Sequence, residues 1–213
     1  MKQILIATTN PGKIMTIKKI LKKLGYEGLS FADLNLNLEE PDETKLTAEE
    51  IAAEKALGYA KQFEDLPVLA RDDTNVLVGV DEEDDPKNHN KAFVARRMGE
   101  YTDENGSKVL AEIAHKYGGE VPTRFDWGYA LAWHDGDELK VVSTLATTGI
   151  ERTKIVDEIS PKKVPGFCFA PVMKVLIDGE WKYDSELTEE DSWKAYWNIQ
   201  AEAIKGLIDQ CDK

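Results

Sequence analysis

Near the start of the chain, the residues best suited to chemistry are Thr8-Thr9-Asn10-Pro11-Gly12-Lys13, set between the apolar run Ile4-Leu5-Ile6-Ala7 and a helical pattern. Asn10 suits an N-cap and Pro11 the first helical position, where its missing N–H costs nothing. Backbone N–H groups at a helix start point outward, and Lys13 adds a point charge, a combination that holds phosphate. Gly12 lets an anion approach the backbone closely. The GxxxxGK[ST] spacing is absent, and a capped helix with an exposed lysine explains the same residues. Asp72-Asp73 follows the apolar run Val68-Leu69-Ala70 and Arg71. A carboxylate at a strand end can bind Mg2+ or activate water. Neighbouring strand residues face opposite ways, so one of the two would face a given cleft, and a plain polar turn fits as well. Glu39-Glu40-Pro41-Asp42-Glu43 offers further carboxylates, as metal ligands or as a solvated loop, and Lys55 lies on the helix beyond. In Pro165-Gly166-Phe167-Cys168-Phe169-Ala170-Pro171 a ring could stack a nucleobase or simply pack ahead of a strand.

These groups need a scaffold, and the hydrophobic pattern supplies one. Residues 2–8 read as a buried strand. Ile14, Ile17, Leu21 and Leu24 give the next helix an apolar face, and Gly25 can close it. Thr47-Ala48-Glu49-Glu50 has capping-box spacing and opens a helix with Ile51, Leu57, Ala60 and Phe63 inward. Val68-Leu69-Ala70 and Val76-Leu77-Val78 read as two short strands around a polar turn, residues 71–75. Residues 81–91 lack a period and read as a solvated loop. A helix over 103–117 buries Val109, Leu110, Ile113 and Tyr117. Alternating runs over 124–134 and 138–147 flank Asp135-Gly136-Asp137, a hairpin signal repeated where 172–177 meets Asp178-Gly179. From Thr188 to about Cys211 the chain reads as one helix. The expectation is an α/β protein with a mixed β-sheet flanked by helices.

Composition limits the function classes. With 27 Lys+Arg against 40 Asp+Glu, the formal charge is −13, which disfavours nucleic acid and anionic membranes as partners. Surface scaling allows ~70% of the unfolded surface to be buried, enough for a core without staples. Cys168 and Cys211 are too few for a disulfide scaffold or a cysteine-built zinc site. No apolar run reaches the length of a membrane span, so a cytoplasmic protein is expected.

The four chemical segments, in this order, resemble the inosine/xanthosine triphosphate pyrophosphatase family over nearly the whole chain. Thr8 to Lys13 looks like the family's phosphate loop, and Glu43-Thr44, Leu46-Thr47, Glu50 and Lys55-Ala56 look like its acidic residue and helix lysine. Asp72-Asp73-Thr74 stands where the family has Asp-Asp-Ser, and Ala95-Arg96 where it has Ala-Arg. Gly166-Phe167 with Pro171 resembles its base-side loop, and Glu186-Leu187-Thr188 precedes the last helix as it does there. The resemblance implies an elongated, ITPase-like domain spanning 1–213, with two lobes and a nucleotide cleft between them. It also implies Mg2+ dependence and a homodimer, and some of the five tryptophans could lie at such an interface.

The reaction implied is hydrolysis of a nucleoside triphosphate to the monophosphate and pyrophosphate, a house-cleaning of modified purine nucleotides such as ITP, dITP and XTP. Lys13, Lys55 and the amides of residues 8–13 (Thr8, Thr9, Asn10, Pro11, Gly12) would hold the triphosphate, with Thr74 and Arg96 also on the substrate. Asp73, with Asp72 or Glu43, would ligate Mg2+, and Asp73 would orient the attacking water. Arg71 and Asn75 depart from the family on either side of the Asp-Asp-Thr triplet, and further departures fall on the base side. Phe169 and Ala170 replace an aromatic and Asp before Pro171, and Trp197-Asn198 replaces a His-Arg pair when the last helix is aligned without gaps. Phe167, Phe169, Trp197 and Asn198 are thus the expected base contacts, with altered base specificity. A contrasting reading is a nucleotide-binding sensor or scaffold without turnover. The joint retention of Glu43, Asp72, Asp73, Lys13 and Lys55 argues against it. A septum-inhibitor-type pyrophosphatase fits less well, because that family opens with Ser-x-x-x-Arg.

Overall fold

The structure, a computed structural model, describes residues 2–86 and 90–211. Its strands are β1 Gln3–Ile6, β2 Glu27–Ser30, β3 Val68–Leu77, β4 Glu120–Asp135, β5 Glu138–Thr147, β6 Thr153–Val156, β7 Met173–Ile177 and β8 Glu180–Tyr183. They pair in the order β2-β1-β3-β4-β6-β7-β8, with β5 on β4. The helices are α1 Pro11–Lys23, α2 Ala48–Ala60, α3 Asn90–Met98, α4 Asp103–Lys116, α5 Glu189–Ser192 and α6 Asn198–Cys211. The sheet is mixed, as expected: β1 runs parallel to β2 and β3, while β4, β6, β7 and β8 are antiparallel neighbours. The chain folds as two compact units. One holds Met1–Asp73, Trp127–Ala146 and Trp197–Lys213; the other holds Thr74–Asp126 and Thr147–Tyr196.

In the first unit, consecutive apolar residues let β1 be buried on both faces, as parallel strands usually are. α1 starts on Asn10 and ends in a Schellman motif. There Tyr26 N–H reaches the Leu21 carbonyl and Gly25 N–H that of Lys22, with Gly25 at φ 87°. Thr47 Oγ1 accepts from Glu50 N–H and opens α2 as its spacing predicts. Ala52, Ala56 and Ala60 of α2 share a core cluster with Leu5, Ala70, Ala130 and Ala132, small residues that bring helix and sheet close. The approach is closest at Gly128, where a Cβ would stand 2.1 Å from the Ala48 carbonyl oxygen.

In the second unit, α4 buries Val109, Leu110 and Ile113 as predicted, while Tyr117 stays half-buried. The β7–β8 turn has Asp178 at φ 51° and Gly179 at φ 87°, the type I′ signature. Cys168 lies against Gly106 of α4, and Ser107 Oγ donates to its carbonyl at 2.7 Å, fixing the aromatic loop on that helix.

Three local readings are corrected, and one strand went unread. Residues 71–75 form no turn, because β3 runs unbroken through all ten of its residues. Asp84, inside the expected solvated loop, is buried in a 3-10 turn and accepts from Arg97, Lys116 and Tyr117. α3 then begins at Asn90, and residues 87–89 of that loop lie outside the described ones. β6 had no sequence signal of its own. The last helix is not continuous, since a π turn over Trp193–Trp197 separates α5 from α6.

Candidate active site

α1 begins where β1 ends, so the Thr8–Lys13 loop caps one end of the sheet in the first unit. Asn10 Oδ1 accepts from the N–H groups of Gly12 (2.9 Å) and Lys13 (3.2 Å). Asn10 N–H in turn donates to Thr8 Oγ1. The cap therefore occupies two of the amides that the sequence reading offers to phosphate. Thr9 and Pro11 are exposed and Gly12 is buried.

β3 carries the carboxylates. Neighbouring strand residues alternate in facing, yet the carboxylates of both Asp72 and Asp73 reach Lys13. Lys13 Nζ stands 3.2 Å from Asp73 Oδ2 and 3.8 Å from Asp72 Oδ1, and Lys55 Nζ stands 3.1 Å from Asp72 Oδ1. Lys55 also pairs with Glu43 Oε1 at 2.7 Å. Glu43 is placed by a clasp on α2. Glu54 accepts from Thr44 Oγ1, Thr44 N–H and Lys45 N–H, and Gln62 exchanges two hydrogen bonds with the Glu39 backbone. Gly58 lets this loop lie flat, since a Cβ there would be 2.5 Å from the Pro41 ring.

Behind Asp73 lies Arg71, only 4% exposed. Residues 71 and 73 share a strand face, and Arg71 Nε donates to Asp73 Oδ1 at 2.6 Å. Its Nη1 donates to Gln200 Oε1 at 3.3 Å, and Tyr129 O–H donates to the same oxygen at 2.5 Å. Three cations thus meet three carboxylates. Burial alone would raise the Asp73 pKa, but Arg71 and Lys13 outweigh it and hold the group below the usual carboxylate range. At Asp72 burial prevails over Lys13 and Lys55, and the pKa rises. Burial would lower the Lys55 pKa, yet Asp72 and Glu43 raise it.

The remaining expected contacts fall elsewhere. Thr74 is the next residue of β3 and belongs to the second unit. Arg96 of α3 is exposed and lines an open cavity of about 750 Å3 with Phe93, Arg97 and the acids Asp81, Glu82, Glu83 and Asp85. Phe167 is half-buried, while Phe169 is buried edge-on to Phe125 with ring centres 5.5 Å apart. Trp197 is buried in the first unit with the Lys19 ammonium 5.3 Å from its ring centre, and exposed Asn198 accepts from Lys23. The two sets of base contacts therefore lie in different units.

The sequence reading missed Glu54, Gln200 and Tyr129. Glu54 had a local signal, standing ten residues beyond Thr44 on the same helix as Lys55. Gln200 and Tyr129 had none, because only the tertiary fold brings them to Arg71. Among the described residues, Asp81, Glu83 and Asp84 set carboxylate oxygens within 4.8 Å of one another. Asp84 is already held by Arg97 and Lys116 there. Glu43, Asp72 and Asp73 present only oxygen donors, the set that hard divalent cations take, with lysines interleaved between them.

The model of the Ham1 family matches residues 4–209. The chain is 31% identical over 209 residues to a dITP/XTP pyrophosphatase of Bacillus subtilis (strain 168), covering 97% of this chain and 96% of the relative. A dITP/XTP pyrophosphatase of Halalkalibacterium halodurans is also 31% identical, over 196 residues, covering 91% of this chain and 92% of its own. The Ham1 protein of Staphylococcus aureus shares the fold with a TM-score of 0.65 at 20% identity, each chain covered in full. A HAM1 protein from Coxiella burnetii gives a TM-score of 0.63 at 19% identity, covering 99% of this chain and 100% of that one.

Proposed function

The chain belongs to the Ham1 family, and from that premise we propose that it is a nucleoside triphosphate pyrophosphatase that clears modified purine nucleotides with altered base preference. The observation that carries this reading is the chain of ion pairs Asp73–Lys13–Asp72–Lys55–Glu43 beside the start of α1. An arriving triphosphate competes for both lysines. Lys13 and Lys55 re-partner from carboxylate to phosphate oxygens and offset the charge that builds on the leaving group. Asn10 turns away from the Gly12 and Lys13 amides, which then face phosphate. Thr8, Thr9 and Thr74 add hydroxyl donors, and Arg96 adds a cation.

Asp73 orients the attacking water, which adds to the α-phosphorus and releases its proton to solvent as the α–β bridging P–O bond breaks. Pyrophosphate leaves with the bridging oxygen. Asp72, Asp73 and Glu43 would hold Mg2+, which when bound neutralises phosphate charge and orients the polyphosphate. Phe167, the half-buried ring of the aromatic loop, stacks the base. We take the two units as lobes of one domain acting as a cytoplasmic homodimer, a state that sedimentation checks. No described helix is long and apolar enough to cross a membrane.

The deciding experiment incubates the protein and Mg2+ with ITP, dITP, XTP, ATP, GTP and the pyrimidine triphosphates, and measures pyrophosphate and monophosphate. Release of both from at least one nucleotide is expected; no pyrophosphate from any of them ends the reading.

A further inference from the structure

Burying a guanidinium is costly unless it is paired and its N–H groups are used. Arg71 therefore needs an account, since it is 4% exposed in the middle of β3. Its surroundings are specific. Nε is committed to Asp73 Oδ1 at 2.6 Å, and Nη1 to Gln200 Oε1 at 3.3 Å. Gln200, 1% exposed on α6, is held from the other side by the hydroxyl of Tyr129, itself fully buried on β4. The Arg71 guanidinium carbon lies 5.9 Å from the centre of the Tyr129 ring. All four residues belong to the first unit.

The consequence concerns which oxygen of Asp73 is available. A free carboxylate offers two equivalent oxygens and rotates between them. Here Oδ1 is taken by Arg71, and Oδ2 is the atom that meets Lys13 at 3.2 Å. Lys13 can leave for phosphate, because it is a flexible side chain beside the start of α1. Arg71 cannot follow, because its fork is tied at both ends and enclosed.

We infer that Arg71 is a positioning residue for Asp73, holding Oδ1 with a guanidinium that is itself anchored on Gln200 and Tyr129, so that Oδ2 alone faces water, lysine or cation. The inference rests on the functional reading above for its effect on turnover, and on geometry alone for its effect on cation binding. Arg71 is also a fixed positive charge beside the acids. Its removal makes the site more attractive to a divalent cation, even as Asp73 loses its orientation.

The experiment compares wild type with Arg71→Met, Arg71→Lys, Gln200→Leu and Tyr129→Phe. Each is measured for kcat and KM of pyrophosphate release, and for Mn2+ binding to the nucleotide-free protein. For Arg71→Met, kcat is expected to fall about a hundredfold with KM within about threefold. Mn2+ should bind about tenfold tighter, as loss of one positive charge roughly 6 Å from a divalent ion implies in a watery site. Arg71→Lys restores part of kcat, and Gln200→Leu and Tyr129→Phe lower kcat about tenfold or less with KM unchanged. A role confined to stability would weaken Mn2+ binding and reduce the active fraction in proportion. That pattern, or a folded Arg71→Met with kcat within twofold of wild type, overturns the inference. If Arg71→Met does not fold, Gln200→Leu and Tyr129→Phe decide: unchanged kcat in both overturns it. If wild type releases no pyrophosphate, the functional reading fails, while tighter Mn2+ binding in Arg71→Met but not in Arg71→Lys still upholds the placement of Arg71 beside Asp73.

Discussion

In the first unit Lys13, Lys55 and Arg71 each stand against a carboxylate, whereas in the second Asn75, Asp184 and Ser185 keep buried side-chain oxygens without a hydrogen-bond partner. Among the described residues these are the only such atoms. The difference teaches how two kinds of polar burial behave. Ion pairs between flexible lysines and strand carboxylates can exchange partners when a more highly charged ligand arrives. An unmet buried oxygen has nothing to exchange, and costs about 1–3 kcal/mol that the surrounding fold must offset. Asp184 is the sharpest case, since burial alone pushes its carboxyl up to about 7.

The comparison breaks most severely at Asp73. Asp73→Asn keeps the shape but leaves Arg71 and Lys13 without their anion. We expect kcat to fall roughly 10²-fold or more, the scale of losing the group that orients a reacting water. Nucleotide affinity should stay within a few-fold. A variant that loses affinity but not turnover would place the chemistry elsewhere.

The second test concerns the base. Phe169 and Trp197 are already buried in the resting fold, so in the function proposed above Phe167 is the ring that stacks the base. Stacking discriminates weakly compared with a hydrogen-bonded site. The ratio of kcat/KM for ITP to that for ATP is therefore expected to stay below about a thousandfold, roughly 4 kcal/mol. A larger ratio would show that hydrogen-bonding readers act in the base site.

The smallest effect is on stability. The Asp184 pKa is raised in the fold, so between pH 4 and 7 the native state holds a proton that the unfolded state has released. Folding is thus favoured at low pH, loses stability as pH rises through 7, and carries the full penalty above it. Asp184→Asn removes the charge, and its melting temperature at pH 8 should exceed wild type by several degrees, at about 2–4 °C per kcal/mol. At pH 4 the two should melt together. Equal melting at both pH values would mean the Asp184 charge finds solvent.

Much of the first unit was legible because its signals are local. Asn10-Pro11 sets a helix start within four residues, Thr47 and Glu50 do the same for α2, and Gly25 closes α1. What failed was non-local. Five polar residues from Arg71 to Asn75 look like a turn, yet they continue β3, and Lys55, Lys13 and Gln200 arrive from other elements to pair Arg71, Asp72 and Asp73. α3 escaped notice because its buried apolar residues, Phe93 and Val94, are adjacent and show no helical period. The π turn at Trp193–Trp197 adds a residue to the helical path without altering composition, so no periodicity marks it. The same turn leaves Trp197 packed beneath Lys19, where an ungapped alignment expects a base contact.

Asn10 has a further consequence, on the timescale of chemical ageing. Asparagine decays to aspartate when the next backbone nitrogen attacks its side chain, closing a five-membered imide. Pro11 has no N–H to give, so that route is shut at the residue that caps α1. An aspartate there would set a negative charge among the amides proposed to face phosphate and repel the ligand they await. The proline that fits the first turn of the helix therefore also protects residue 10 from gaining a negative charge by this route.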